Sequence, residues 1–367
     1  MRRRGFVTQI GTTIVLALGL SLLAVPTSLN AQKATGIKRV GWLEVCSPGP
    51  RRPHFDIFRA HLAELGYVEG KNLIIEQRFA DCQYGRMPGL ATDLMQVPVD
   101  VIFTMGTRAA RIAAQAVKAV PLVVYSCDPF LHVKNLARPG GNLTGVTCMT
   151  TEMMPKRLEL IHEALPKVSR VMFLHDPEAA PNAFNLTEEA APRLAMTMQA
   201  AHLTAEEDLL PQLATVAKEH PEALLVYPDV VLSSHSRPQQ LADFAIKARL
   251  PTMHAFRFFV DAGGLMSYGA TTSEIYTTAA DQVAKILGGA RPSELPLRQA
   301  TRFELVINNR TAKALGITIP TSLLERADEV IEVPFPAAVK TALRQFLPPV
   351  KHEKRVGRDQ REAETLA

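Results

Sequence analysis

Polar residues that could contact a small molecule follow several short apolar runs of this sequence. They are Ser47, Thr107, Arg108, Ser126, Asp128, Asp176 and Asp229. If the runs are parallel β-strands, these residues lie at the carboxyl ends of the strands, where open α/β sheets bind ligands. Hydroxyls, carboxylates and a guanidinium at such an edge can hydrogen-bond to a ligand and pair with its charges.

Thr107 follows Gly106 at a predicted helix N-terminus. Its hydroxyl and the free N–H groups of the helix could favour a ligand anion by about 0.5–2 kcal/mol. The same hydroxyl could instead only cap its own helix.

Asp128 suits a ligand ammonium or hydroxyl group, although an Asp-Pro pair is also an ordinary turn. Asp176 and Asp229 also stand beside prolines, so the same two interpretations hold for them. Tyr268 could stack on a ligand, but a single aromatic residue in a strand more often belongs to the core.

Catalytic motifs are missing from the sequence. It has no G-x-G-x-x-G after the first strand, no phosphate-binding loop, no H-E-x-x-H and no G-x-S-x-G. The ten histidines are scattered, and no Ser/His/Asp set follows from their spacing. We therefore expect a binding protein with no cofactor, no metal and no enzymatic activity.

Strand-like and helical segments alternate along the chain, which predicts an α/β fold with parallel sheets and right-handed crossovers. The predicted strands lie at 39–45, 72–79, 99–105, 122–126, 170–175, 223–227, 251–255, 263–268 and 303–307. The predicted helices begin near 55, 87 and 107 in the first half and cover 155–165, 188–201, 209–219, 239–248, 274–287 and 310–315 in the second. The 367 residues exceed one compact core, and three glycines within 140–145 predict a boundary between two domains there.

The N-terminus has the pattern of a cleavable signal peptide covering 1–31. Arg2–Arg4 form a basic region, an apolar stretch follows at 10–25, and cleavage is plausible after Ala31. A membrane anchor is the alternative, and a twin-arginine export route remains open beside the general one.

The formal charge of the whole chain is +5. Removal of 1–31, which carries three arginines and no acidic residue, would leave +2. A charge this small argues against a nucleic-acid partner. The extension at 333–367 ends in a charged, apolar-poor stretch that we expect to be disordered.

The four cysteines are Cys46, Cys82, Cys127 and Cys148. None forms a C-x-x-C pair, so a zinc site is not expected, while an oxidising compartment would allow three disulfide connectivities. We favour Cys46 with Cys82, and free half-buried thiols are the alternative.

Several stretches resemble the substrate-binding proteins of ABC importers, in the branch typified by tryptophan- and aromatic-amino-acid-binding members. The matching stretches are RVGWL at 39–43, LAELGYVEGKN at 62–72, DVIF at 100–103, DP at 128–129, LARPGGNLTG at 136–145, FVDAGGLMSYG at 259–269, FELVIN at 303–308, TAKALG at 311–316 and ADEVI at 327–331. They span nearly the whole chain that follows the signal peptide.

The resemblance implies a type I periplasmic-binding-protein fold with two Rossmann-like lobes joined by a multi-strand hinge. The first lobe would cover 37–145 and be completed by a segment around 270–295. The second would cover 146–269, with 296–332 packing across both. Ser47, Thr107, Asp128, Asp176, Asp229 and Tyr268 would face the cleft between the lobes.

The resemblance also implies a periplasmic, monomeric protein that passes a small amino-acid-like or carboxylate ligand to a membrane permease. A ligand sensor for a separate membrane receptor and a periplasmic hydrolase or isomerase are the alternatives. Arg108 departs from the small residues of the family, so it could bind a ligand carboxylate bidentately or point to solvent.

Overall fold

The computed structural model describes residues 36–47, 53–131, 133–203, 209–234 and 236–332. The predicted signal peptide at 1–31 and the predicted extension at 333–367 lie outside the described residues. None of the helices in the described ranges combines the length and apolar character needed to cross a lipid bilayer.

Thirteen strands and eleven α-helices alternate along the described chain. The strands are β1 (Lys38–Glu44), β2 (Leu73–Phe79), β3 (Val101–Met105), β4 (Leu122–Ser126), β5 (Leu143–Thr147), β6 (Arg170–His175), β7 (Thr197–His202), β8 (Ala223–Val226), β9 (Thr252–His254), β10 (Met266–Ala270), β11 (Arg298–Gln299), β12 (Phe303–Asn308) and β13 (Glu329–Ile331). The helices are α1 (Pro53–Glu64), α2 (Met87–Gln96), α3 (Thr107–Ala116), α4 (Thr150–Ala164), α5 (Ala183–Glu188), α6 (Leu209–Lys218), α7 (Arg237–Lys247), α8 (Arg257–Asp261), α9 (Thr272–Leu287), α10 (Asn309–Leu315) and α11 (Thr321–Arg326).

The strands form two sheets. The first has the order β11-β5-β4-β3-β1-β2, and all its neighbouring strands are parallel. The second has the order β13-β12-β10-β9-β8-β6-β7, and β12 is antiparallel to β10 while its other pairs are parallel. The α/β class with two mostly parallel sheets is confirmed. The central strands β3, β4 and β8 are buried along their whole length, as apolar strands covered on both faces are.

The chain passes between the two sheets three times. It leaves the first sheet after β5 and enters α4, which packs against β8, β9 and β10. It returns after β10 through α9, which packs against α1 and against β3, β4 and β5. It passes back to the second sheet between β11 and β12.

The glycine-rich segment predicted as a boundary leads directly into a strand of the first sheet. Gly145 lies within β5, and a Cβ atom there would be 1.9 Å from the backbone oxygen of Val124. This glycine is needed for the close approach of β5 to β4. The chain leaves the first sheet only after Thr147, at Met149, whose φ is +49°.

The predicted helix at 188–201 is wrong. Helix α5 ends at Glu188, a short 3-10 turn containing Pro192 follows, and Thr197–His202 form β7. Strand β7 pairs in parallel with β6, so the sheet edge decides the conformation of this stretch over its local helix propensity.

Cys46 and Cys82 form a disulfide, which confirms the favoured pairing. They follow β1 and β2, which are adjacent and parallel, so the two cysteines emerge at the same edge of the sheet. Cys127 and Cys148 are free and buried.

Candidate ligand-binding site

The carboxyl ends of the strands in the two sheets face each other. Most of the polar residues predicted from the sequence lie in this region of contact between the two sheets. Arg108, in the first turn of α3, reaches the loop that follows β6 in the other sheet. Its Nη1 lies 3.3 Å from Asp176 Oδ2, and its Nε lies 3.1 Å from Glu178 Oε2. The guanidinium carbon also lies 4.2 Å from the centre of the Tyr84 ring.

Asp229 makes a second contact between the sheets. Tyr84 Oη donates a hydrogen bond to Asp229 Oδ2 at 3.1 Å, and the backbone N–H of Val231 donates to Oδ1 at 2.7 Å. Burial and then the charge of nearby Asp176 raise the pKa of Asp229. Asp176 and Asp229 are therefore occupied by protein partners, and their geometry fits residues that hold the two halves together.

Gly106 brings the start of α3 against the loop after β8. It is the N-cap residue of α3, with φ +94°, whereas the sequence had suggested Thr107 for this position. A Cβ atom on Gly106 would lie 2.3 Å from Val230 Cγ2. Glycine permits both the backbone conformation and the close contact.

Thr107 organises the loop after β4. Its hydroxyl oxygen accepts hydrogen bonds from the backbone N–H groups of Cys127 at 3.1 Å and Asp128 at 3.2 Å. Ser126 Oγ donates to the backbone oxygen of Asp128 at 3.0 Å. Three predicted site residues are thus brought together, but two of them act by fixing Asp128.

Asp128 is 4% exposed, and burial raises the pKa of its carboxyl group. Thr151 Oγ1, in the first turn of α4, donates to Asp128 Oδ2 at 3.4 Å, and the backbone N–H of Phe130 also hydrogen-bonds to the carboxylate. Tyr227 Oη lies 3.0 Å from Thr151 Oγ1. Within the described residues, no basic side chain lies within ion-pair distance of Asp128, so a cationic group of a ligand could pair with it.

Ser47 and Tyr268 lie apart from these contacts. Ser47 Oγ donates to Asp81, which also pairs with Arg86 at the exposed edge beside the disulfide. The half-buried Tyr268 ring stacks near Phe303, with 6.0 Å between ring centres. For Tyr268 the core interpretation fits this geometry better than ligand stacking.

Sequence reasoning missed several polar residues at the meeting edges: Tyr84, Thr151, Arg157 and Tyr227. Thr151 was missed because the helix was predicted to begin at Pro155, whereas α4 begins at Thr150. Arg157 had a visible signal, since it stands three residues after Met154 and four before Ile161, on the apolar face of α4. The described residues contain no group of three or more His, Cys, Asp or Glu side chains that could hold a metal ion.

Two α/β halves whose strand carboxyl ends meet, with three connections between the sheets, define the class of type I periplasmic binding proteins. The sequence model described as ABC transporter substrate binding protein matches residues 54–331, more than half of the chain. The chain belongs to this family of solute-binding proteins, which confirms the resemblance seen in the sequence.

Similar proteins include a tyrosine-binding protein of Clostridioides difficile (strain R20291), 20% identical over 261 residues that cover 70% of this chain and 74% of the relative. A conserved domain protein of Vibrio cholerae O1 biovar El Tor is 26% identical with a TM-score of 0.73, covering 80% of this chain and 100% of that one. An ABC domain from Streptococcus pneumoniae in complex with L-Trp is 23% identical with a TM-score of 0.71, covering 80% and 99%.

Proposed function

We propose that this chain is the exported solute-binding component of an ABC importer. It captures a small amino-acid-like or carboxylate molecule between the carboxyl ends of its two sheets and passes it to a membrane permease. The observation that carries the proposal is Asp128, a buried carboxylate without a basic partner among the described residues, which a ligand ammonium would compensate.

The contacts between the two halves support a protein that closes over its ligand. Arg108 with Asp176 and Tyr84 with Asp229 join side chains of the two sheets directly. Such pairs can break and reform when two lobes rotate about their connecting segments. We propose that Arg108, Asp176 and Asp229 hold the closed form, while Thr107, Ser126 and Asp128 build the ligand's surroundings.

The names of two relatives favour the same class of ligand. One is a tyrosine-binding protein, and another was solved in complex with L-Trp. Both ligands carry an ammonium group, which suits a buried carboxylate.

Location in the periplasm is part of the proposal. It is supported by the signal-peptide pattern of 1–31 and by the disulfide between Cys46 and Cys82, since disulfides persist in oxidising compartments. We further propose that the protein acts as a monomer, with the two sheets as its two lobes.

A thermal-shift screen of the purified protein against the proteinogenic amino acids and simple aromatic carboxylates tests the proposal. A ligand at 100 times its Kd should raise the unfolding free energy by about 2.7 kcal/mol. We expect this shift for at least one solute of these classes and not for a neutral sugar such as maltose. A folded protein that none of the amino acids or carboxylates stabilises would contradict the proposal.

A further inference from the structure

Arg157 is a fully buried cation on α4 without a carboxylate partner. Its side chain has no exposed surface, and no acidic side chain of the described residues lies within ion-pair distance. Its Nε donates to the backbone oxygen of Tyr268 at 2.6 Å, and its Nη1 donates to that of Thr150 at 3.0 Å. The other terminal nitrogen, Nη2, is buried and has no hydrogen-bond partner.

These two backbone contacts place Arg157 between two of the connections that join the sheets. Thr150 follows the crossing out of the first sheet, and Tyr268 lies in β10 just before the crossing back. The neighbouring residue Gly269 permits close packing beside the guanidinium, since a Cβ atom there would lie 2.0 Å from the backbone oxygen of Ala255 and 3.2 Å from Nη2.

A buried guanidinium that is hydrogen-bonded to backbone oxygens and has no carboxylate partner has lost its hydration without forming an ion pair with an acidic side chain. Burial accordingly lowers the pKa of Arg157 to about 10, which leaves it charged at neutral pH. An anion that reaches Nη2 would gain a charge-assisted hydrogen bond from it in surroundings of low dielectric constant.

Tyr227 connects this cation to the rest of the candidate site. Its hydroxyl contacts Thr151, which in turn hydrogen-bonds to Asp128. Tyr227 interacts electrostatically with both Arg157 and Asp128. A buried cation and a buried carboxylate therefore both interact with one phenol.

We propose that the unpartnered Nη2 of the buried Arg157 binds the carboxylate of the ligand. This inference rests on the proposed function and narrows it: the solute is an anion or a zwitterion, and for a zwitterionic amino acid Asp128 takes the ammonium group while Arg157 takes the carboxylate. Two charged ends recognised by two buried, opposite charges would exclude amines and neutral solutes of the same shape.

Equilibrium dialysis at pH 7 tests this with ligand pairs that differ only in the carboxylate: L-tyrosine and L-tyrosinamide, L-tryptophan and L-tryptophanamide, 4-hydroxybenzoate and 4-hydroxybenzamide. The wild-type protein should bind the acid of at least one pair about 100-fold more tightly than its amide, which is the loss expected when a buried charge is left unpaired. Arg157→Gln should lose this preference, whereas Arg157→Lys should keep part of it. Lys156→Gln removes the same charge from an exposed position of the same helix and should bind as the wild type does.

The Cys148 thiol is the remaining group that could act as an anion beside Arg157, and the variant Cys148→Ser tests whether it does. Burial raises the pKa of the Cys148 thiol, but hydrogen bonds with Cys127, Thr150 and Tyr125 and the charge of Arg157 outweigh burial and lower this pKa to about 7. If the ligand is the partner of Arg157, Cys148→Ser keeps the preference for the acid.

The possible outcomes distinguish a failure of this inference from a failure of the proposed function. Equal binding of an acid and its amide by the wild type, or loss of the preference in Cys148→Ser as well, would overturn the role of Arg157 and leave solute binding intact. If the protein is folded by circular dichroism and binds neither member of any pair, the inference about Arg157 is overturned. If the wider solute screen also fails, the proposed function is overturned too. A role for Arg157 in stability alone would lower the melting temperature of Arg157→Gln without changing the acid-to-amide ratio.

Discussion

At the residue scale, the side chains that suit ligand binding are those that oppose folding when the site is empty. Asp128 and Arg157 are both buried, Asp128 has no basic partner, and Arg157 has no carboxylate partner among the described residues. Such groups cost stability, which binding proteins tolerate where a ligand restores the balance.

Asp128→Asn should make the ligand-free protein more stable. Burial raises the pKa of Asp128, so the folded state favours the protonated carboxyl group more than the unfolded state does. At pH values above the ordinary pKa of an aspartate, the ionised carboxylate therefore lowers the stability of the folded protein. Removing the charge should therefore raise the unfolding free energy at pH 7. Urea denaturation measures this change.

The same variant should weaken the binding of an amino-acid ligand at least about tenfold, because its ammonium loses its partner. Asp93→Asn, at an exposed position of α2, is the matched control and should alter neither quantity. A variant that is less stable than the wild type and binds equally well would contradict the assignment of Asp128.

The sequence identified Thr107, Ser126 and Asp128 correctly as neighbours, because residues after adjacent parallel strands must emerge at one edge. It could not show that Thr107 serves the backbone of the β4 loop, since that depends on loop geometry rather than on strand order. Whether any of these residues contacts a ligand remains a prediction.

At the element scale, the start of α3 and the loop after β8 control how closely the two sheets approach. Strand and helix alternation was sufficient to predict most elements around this contact. Strand β7 was missed because its pairing with β6 is a long-range interaction that no local pattern carries. The domain boundary at 140–145 stays a prediction; Gly145 itself meets a packing requirement within the first sheet, which continues to Thr147.

Gly106→Ala should impair ligand binding by obstructing closure. The added methyl group would overlap with Val230, so the two halves could not come as close as they do here. We expect the affinity for a ligand to fall by about tenfold or more, as measured by calorimetric titration.

Gly289→Ala provides the control for backbone strain. Its φ is +100°, similar to that of Gly106, but no atom lies within 4 Å of the added Cβ. Both variants should be destabilised by about 1–3 kcal/mol, and only Gly106→Ala should lose affinity. Equal losses of affinity would show that strain, not the contact with Val230, is responsible.

The disulfide ties the loops that follow β1 and β2. Its 36-residue separation predicts a stabilisation of about 3–4 kcal/mol in the chain-entropy description. Urea unfolding with and without a reductant should show this difference in the wild type. The double variant Cys46→Ala/Cys82→Ala should be destabilised to a similar extent and should not respond to the reductant; a reductant effect that persists in it would assign the stabilisation elsewhere.

At the scale of the whole molecule, the second sheet contains two buried histidines that must remain neutral. Burial, and then His202, lowers the pKa of His175 to about 4, while burial, and then the charge of Arg157, lowers the pKa of His254 to about 3. Both therefore bind fewer protons in the folded state than in the unfolded state between these values and the ordinary pKa of 6.5. Their contribution to stability is complete above pH 6.5 and is lost progressively as the pH falls.

Acidification from pH 7 to pH 5 should cost about 2 kcal/mol for each of the two histidines. The raised pKa values of Asp128 and Asp229 act in the opposite direction, because these carboxylates take up protons more readily in the folded state than in the unfolded state. His254→Gln should remove about half of the change in unfolding free energy between pH 7 and pH 5. This holds whether or not the variant is as stable as the wild type at pH 7. His220→Asn, at an exposed position, should leave it unchanged, and a wild-type protein equally stable at both pH values would contradict this prediction.

The central claim is that one small solute binds between the carboxyl ends of the two sheets. Calorimetric titration of the wild-type protein with L-tyrosine, L-tryptophan and the best solute of the thermal screen tests it most directly. We predict saturable binding of one molecule per chain for at least one solute, with weakened binding in Asp128→Asn and Gly106→Ala. Saturable binding that neither substitution affects, or no binding of any solute to the folded protein, would contradict it.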